Sequence, residues 1–114
     1  MAKQKFVLLL PLNYNDGAEV PKEVRDRIYE EIFELAGGHY TAGVGQGAYR
    51  MSSGEKQADY CAQVWIVVEE KDVPELRSMV ARFAALLGQE SMYLEFAGAT
   101  SVEFVEPESQ EDGS

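Results

Sequence analysis

The segment Tyr60-Cys61-Ala62-Gln63-Val64-Trp65-Ile66-Val67-Val68 is apolar at nearly every position and keeps no polar side for solvent. Side chains alternate across a strand, so Ala62, Val64, Ile66 and Val68 share one face while Cys61, Trp65 and Val67 share the other. Residues 6–12 are apolar in the same continuous way, and both segments are predicted as strands buried on two sides. Between them, Pro21 opens a helix in which Val24, Ile28, Ile32 and Leu35 recur at spacings of three and four, and Gly37-Gly38 ends it. Residues 39–51 contain Gly43, Gly45 and Gly47 and are predicted as an irregular or bulged edge strand. A second helix follows Asp72, a plausible N-cap with Glu75 three residues on, and carries Leu76, Met79, Val80, Phe83 and Leu87 as its apolar stripe. Met92, Leu94 and Phe96 then alternate with polar neighbours, and after Gly98 a second alternation sets Val102 and Phe104 against Ser101 and Glu103. The last two stretches are either one interrupted strand or a terminal hairpin with a fifth strand, and the hairpin is preferred.

The order strand, helix, strand, strand, helix, strand is the ferredoxin-like pattern of an α+β fold: an antiparallel sheet ordered 4-1-3-2 with two helices on one face. Residues 1–106 are expected as a single domain, and residues 107–114, acidic and small, as a disordered tail. Helices on one face leave the other face open. Phe6, Leu8, Leu10 and one of Trp65 or Ile66 are the candidate interface residues there, and several large apolar side chains left in water form an adhesive patch. Self-association follows, most simply as a two-fold dimer packed sheet to sheet.

Charge narrows the partners. Ten Lys plus Arg stand against twenty Asp plus Glu, a formal net charge of -10, which opposes binding to a phosphate backbone. Cys61 is the only cysteine, so no intrachain disulfide forms, and a cytoplasmic setting and an inert buried thiol are expected. The basic start and the apolar run at residues 6–12 imitate a signal peptide, but Asn13-Tyr14-Asn15-Asp16-Gly17 replaces a cleavage site. No stretch approaches the roughly twenty apolar residues that span a bilayer.

The predicted topology gathers Asn13, Asn15, Asp16, Arg50, Asp59, Gln89 and Glu90 at one end of the sheet, the best polar cluster for a small ligand. Tyr49 and Tyr60, flanking the hairpin, join them as ligand candidates. Oxygen-only groups of this kind suit a hard cation such as Mg or Ca, but ordinary turn chemistry and solvated surface account for the same residues, so neither a metal nor a cofactor is expected. Gly43-Val44-Gly45-Gln46-Gly47 precedes a strand rather than a helix N-terminus, which argues for a bulge or a close backbone approach rather than a phosphate cradle. His39, the lone histidine, falls at the opposite end, with no partner at catalytic or metal-ligand spacing.

The successions Leu10-Pro11-Leu12-Asn13-Tyr14-Asn15-Asp16-Gly17, Gly37-Gly38-His39-Tyr40-Thr41 and Gly45-Gln46-Gly47-Ala48-Tyr49 resemble a family of small uncharacterised bacterial proteins. The resemblance covers residues 5 to 105, departs from the expected Trp at Tyr49, and implies kinship without an activity. The wider topology is similar to the dimeric α+β barrels, which is analogy of fold alone. The leading expectation is a homo-oligomeric binding or regulatory domain without catalysis, taking a small ligand or a protein partner. Its alternatives are a cofactor-independent enzyme of the barrel type with His39 or Asp16 as base, and an acidic inhibitor that occupies a nucleic-acid-binding surface on another protein.

Overall fold

The computed structural model describes residues 2–109. Its elements are β1 (Lys3–Pro11), α1 (Lys22–Ala36), β2 (Tyr40–Arg50), β3 (Lys56–Glu69), α2 (Val73–Leu86) and β4 (Leu94–Thr100), with a single 3₁₀ turn at Glu70–Asp72. The four strands form one antiparallel sheet in the order β2-β3-β1-β4, the ferredoxin-like arrangement. The two most apolar segments occupy its centre, where each must satisfy two neighbours.

Register decides which side chains the helices cover. Phe6 stands opposite Ile66, Leu8 opposite Val64 and Leu10 opposite Ala62, so these residues share one face, and all six are buried beneath the helices. Ile28 and Ile32 of α1 and Leu76, Met79, Val80 and Phe83 of α2 complete that core. Of the expected interface residues, Phe6, Leu8 and Leu10 are therefore corrected to the helix-side core, and of the pair Trp65 and Ile66 it is Ile66 that joins them. Trp65 alone of them lies on the open face, beside Lys5, Val7 and Leu9.

The helix ends follow local chemistry. Pro21 holds the N-cap position of α1, and Gly37, at φ 74°, accepts the left-handed turn that returns its amide to the Phe33 carbonyl. Asp72 makes no side-chain cap on α2; it lies in the preceding 3₁₀ turn, and Pro74 in the first turn of α2 has already removed one amide that a cap would serve. The edge strand β2 carries the expected irregularity, a register shift between Thr41 and Gly43.

The expected fifth strand is absent among the described residues. β4 pairs with β1 as far as Lys3 opposite Thr100, with a bulge near Gly98 (φ 110°). Lys3 is the first residue of β1, so the chain beyond Thr100 has no neighbouring strand to continue the ladder. Residues 101–109 run on without regular structure, and of the expected tail at 107–114 residues 110–114 lie outside the described residues.

Candidate functional site

A groove of about 470 Å³ opens on the helix-free face of the sheet, between the β2–β3 hairpin and the segment that leads into β4. Its apolar floor comes from Leu9 and Pro11 of β1 with Met92, and Tyr93 forms part of the far wall. The near wall is made by what β2 lacks. Gly43, Gly45 and Gly47 stand opposite Gln63, Cys61 and Asp59, on the open face, and Gly45 and Gly47 line the groove. None of the three has a positive φ, and a Cβ built on any of them meets nothing within 4 Å. Neither backbone strain nor intrachain crowding accounts for glycine there. Bare backbone beside an apolar floor is what a flat ligand or a second chain would pack against.

Polar groups reach this groove from two directions. Asp59 and Tyr49 extend from the hairpin, and Gln89, itself buried, from the turn after α2. The Tyr49 hydroxyl oxygen is fully buried, and the described residues supply it no hydrogen-bond partner. Burial, with the negative charges of Asp59 and Glu90 adding, pushes its pKa up, so it stays a phenol with a proton to donate. Burial, again with Asp59 adding, pushes the half-buried Cys61 thiol up to about 11, which keeps it neutral and a poor nucleophile near neutral pH.

Three of the sequence-predicted site residues, Tyr49, Asp59 and Gln89, line the groove. All of the others except Tyr60 hold the surrounding turns. Asn15 donates to the Gly88 carbonyl at 3.2 Å and accepts from the Gln89 amide at 3.1 Å, which ties the loop after β1 to the turn after α2. Asp16 accepts the Ala18 amide at 2.9 Å, an ordinary Asx turn. Asn13 donates to Gly17, and Arg50 donates to Gly54 inside the hairpin turn. Glu90 accepts the Ser52 amide at 2.9 Å and so anchors the hairpin tip to the other wall. Tyr60 stands opposite Gln46, on the other side of β3, and is exposed.

The bases of the enzymatic alternative lie elsewhere. Asp16 belongs to its turn, and His39 stacks on Tyr29 at 4.8 Å in a shallow hollow by Asp26, Glu30 and Phe33. Among the described residues no three His, Cys, Asp or Glu side chains stand close enough to hold a metal ion, and no helix is long and apolar enough to cross a membrane. Among the groove residues that sequence reasoning missed, Leu9, Pro11, Cys61, Gln63, Ser91, Met92 and Tyr93 read as strand positions. The signal that could have found the site was the alternation of the glycines, which places them all on one face of a hairpin.

Neither a protein-family model nor a curated protein sequence matches this chain. Solved structures do. A phage SAM lyase in complex with S-methyl-5′-thioadenosine superposes with a TM-score of 0.62 at 15% identity, over 89% of this chain and 88% of that one. The same enzyme type in its apo state gives 0.61 at 16% identity, over 92% and 94%. The Cut A1 divalent cation tolerance protein of Thermus thermophilus gives 0.58 at 17% identity, over 91% and 87%. At these identities the likeness is one of fold: the chain has the small ferredoxin-like α+β architecture that these proteins share.

Proposed function

We propose that this protein is a self-associating, cytoplasmic binding module that holds a small amphipathic ligand in the groove on its open sheet face, without catalysis of its own. The observation that carries the reading is the glycine wall of β2 set beside an apolar floor, with the buried, unpartnered Tyr49 hydroxyl next to it. A buried hydroxyl without a partner costs about 1–3 kcal/mol, and a ligand that accepts its hydrogen bond recovers that cost. The apolar floor suits the flat or aliphatic part of such a molecule, and Asp59 and Gln89 suit its polar part. Exposed apolar groups on the same face, Trp65 and Tyr40 among them, support self-association.

The test is native mass spectrometry of protein purified from its own host, followed by calorimetric titration with S-methyl-5′-thioadenosine, the ligand of one structural neighbour, as first probe. A retained small-molecule mass, or saturable uptake of the probe that Gly47→Val abolishes, is expected. Protein that emerges ligand-free and takes up none of the probe overturns the reading.

The likeness to a lyase favours a second reading, in which the Tyr49 hydroxyl donates to a bound substrate during bond cleavage. Incubation with SAM and chromatography for S-methyl-5′-thioadenosine tests it. Turnover that Tyr49→Phe reduces supports the enzyme, and its absence leaves the binding module.

A further inference from the structure

The chain leaves β4 at Thr100 and continues with Val102, Phe104 and Val105 turned into solvent, the last two 93% and 85% exposed. Val102 and Val105 are β-branched and Phe104 is aromatic, a composition suited to a strand. These six residues, 101–106, span about 20 Å when extended. Pro107 follows them and, lacking an amide hydrogen, ends any ladder there. A strand-forming segment with most of its apolar groups in water is the form of an arm without its acceptor.

The other side of the same sheet offers an open edge. β2 is an edge strand whose residues are exposed apart from Tyr49, and its outer row of amides and carbonyls has no strand beside it among the described residues. Such an edge is a template for a further strand. Charge selects the arm. In a chain of net charge -10, segment 39–56 carries Arg50 and Lys56 against Glu55 alone, with His39 besides, while residues 101–109 carry Glu103, Glu106 and Glu108 and no basic group. The chain's own tail emerges beside β4, on the far edge from β2, so its arm is placed for a different copy.

We propose that residues 101–106 of one copy pair as a strand along the outer edge of β2 in a second copy. The contact joins unlike surfaces, so copies are linked by reciprocal exchange of arms in a pair, or head to tail in a ring where the rotation closes. It extends the self-association proposed above from the open face to the sheet edges, and it stands independently of the ligand.

Two measurements test it. Light scattering on a chain ending at Thr100 reads the assembly, with circular dichroism and a cooperative thermal melt confirming that the shortened chain is folded. Loss of at least tenfold in association strength is expected, and retention of the full-length mass overturns the proposal. In the full chain, Phe104 replaced by a benzoyl-phenylalanine photocrosslinker, in mixed isotopically light and heavy protein, is expected to mark residues 40–50 of the other isotopic form. Crosslinks within one copy, crosslinks to another surface, or a monomeric full-length chain overturn it, whereas failure of ligand binding alone leaves it standing.

Discussion

Lysine placed at two consecutive positions of β3, Trp65→Lys and Ile66→Lys, separates what folds this chain from what assembles it. Ile66 is fully buried opposite Phe6. Its replacement forfeits about 1.5–3 kcal/mol of apolar burial and forces an ammonium group into the core at a further several kcal/mol. Together these approach the 5–15 kcal/mol that a domain possesses, so Ile66→Lys should not fold. Trp65, next in the chain, points the other way and is 36% exposed.

What Trp65 does within one copy can be itemised. Its ring lies 5.5 Å from that of Tyr40 and 3.8 Å from the Lys5 ammonium, and its indole N–H donates to Gln63 at 3.0 Å. The aromatic pair contributes about 0.5–1.5 kcal/mol and the exposed cation–π contact about 0.5–1 kcal/mol. Trp65→Lys should therefore cost about 1–3 kcal/mol, several degrees in Tm, and leave a folded chain. On an associating face, however, it replaces an aromatic anchor with a charge beside Lys5. Light scattering at micromolar concentration should show the mass of the assembly fall for Trp65→Lys and stay unchanged for Asp16→Ala, with circular dichroism reporting the fold. A folded Trp65→Lys of undiminished mass, or a wild-type monomer, would refute the assembly argument, and unfolding of Trp65→Lys as severe as that of Ile66→Lys would refute the assignment of faces.

Four further outcomes are expected. Gly45→Val should raise stability by about 0.5–1 kcal/mol in denaturant titration, because a β-branched residue replaces glycine in a strand with open space for it, while groove binding measured by calorimetry is lost. Tyr49→Phe should leave stability unchanged or raise it by about 1 kcal/mol by removing an unpartnered hydroxyl, and should weaken probe binding. The Cys61 thiol, pushed up to about 11 in the folded chain against roughly 8.5 when unfolded, should alkylate at pH 8 at least tenfold more slowly than in denatured protein. The folded state keeps this proton longer, so stability should decline as pH rises from about 9 towards 11, and Cys61→Ser should remove that part of the decline. Asn15→Ala cuts the link between the loop after β1 and the turn after α2, leaving the buried Gln89 amide one acceptor fewer, and should cost about 1–2 kcal/mol in thermal melts.

Much of the fold was legible because the information is local and periodic. Two continuous apolar runs had to be the central strands, two stripes at helical spacing had to cover one side of them, and a glycine-rich segment had to fall on an edge. Alternation also told which residues share a face. It did not tell which face the helices choose, since residues 6–12 and 61–68 are apolar on both sides; hence Phe6, Leu8 and Leu10 were assigned to the open face they do not occupy. The fifth strand was misjudged for a related reason. Val102 and Phe104 alternate as a strand does, but a strand exists only where a neighbour offers a ladder, and β1 ends at Lys3. Of the expected polar cluster, Asn15 meets Gln89 and Glu90 meets the hairpin at Ser52, yet most of its members serve backbone groups of turns. The groove needs the register of three strands at once, a property that no single segment carries.

The central place of β1 also orders events in time. Phe6 must meet Ile66 on one side and Phe96 on the other, so β1, made before either of its neighbours, is the last to be completed. Contacts so distant in sequence slow folding, and until they form, the apolar run at residues 6–12 is exposed during synthesis. At a typical elongation rate of about 5–20 residues per second, that exposure lasts several seconds. A delay between making the central strand and covering it is thereby written into the order of the strands.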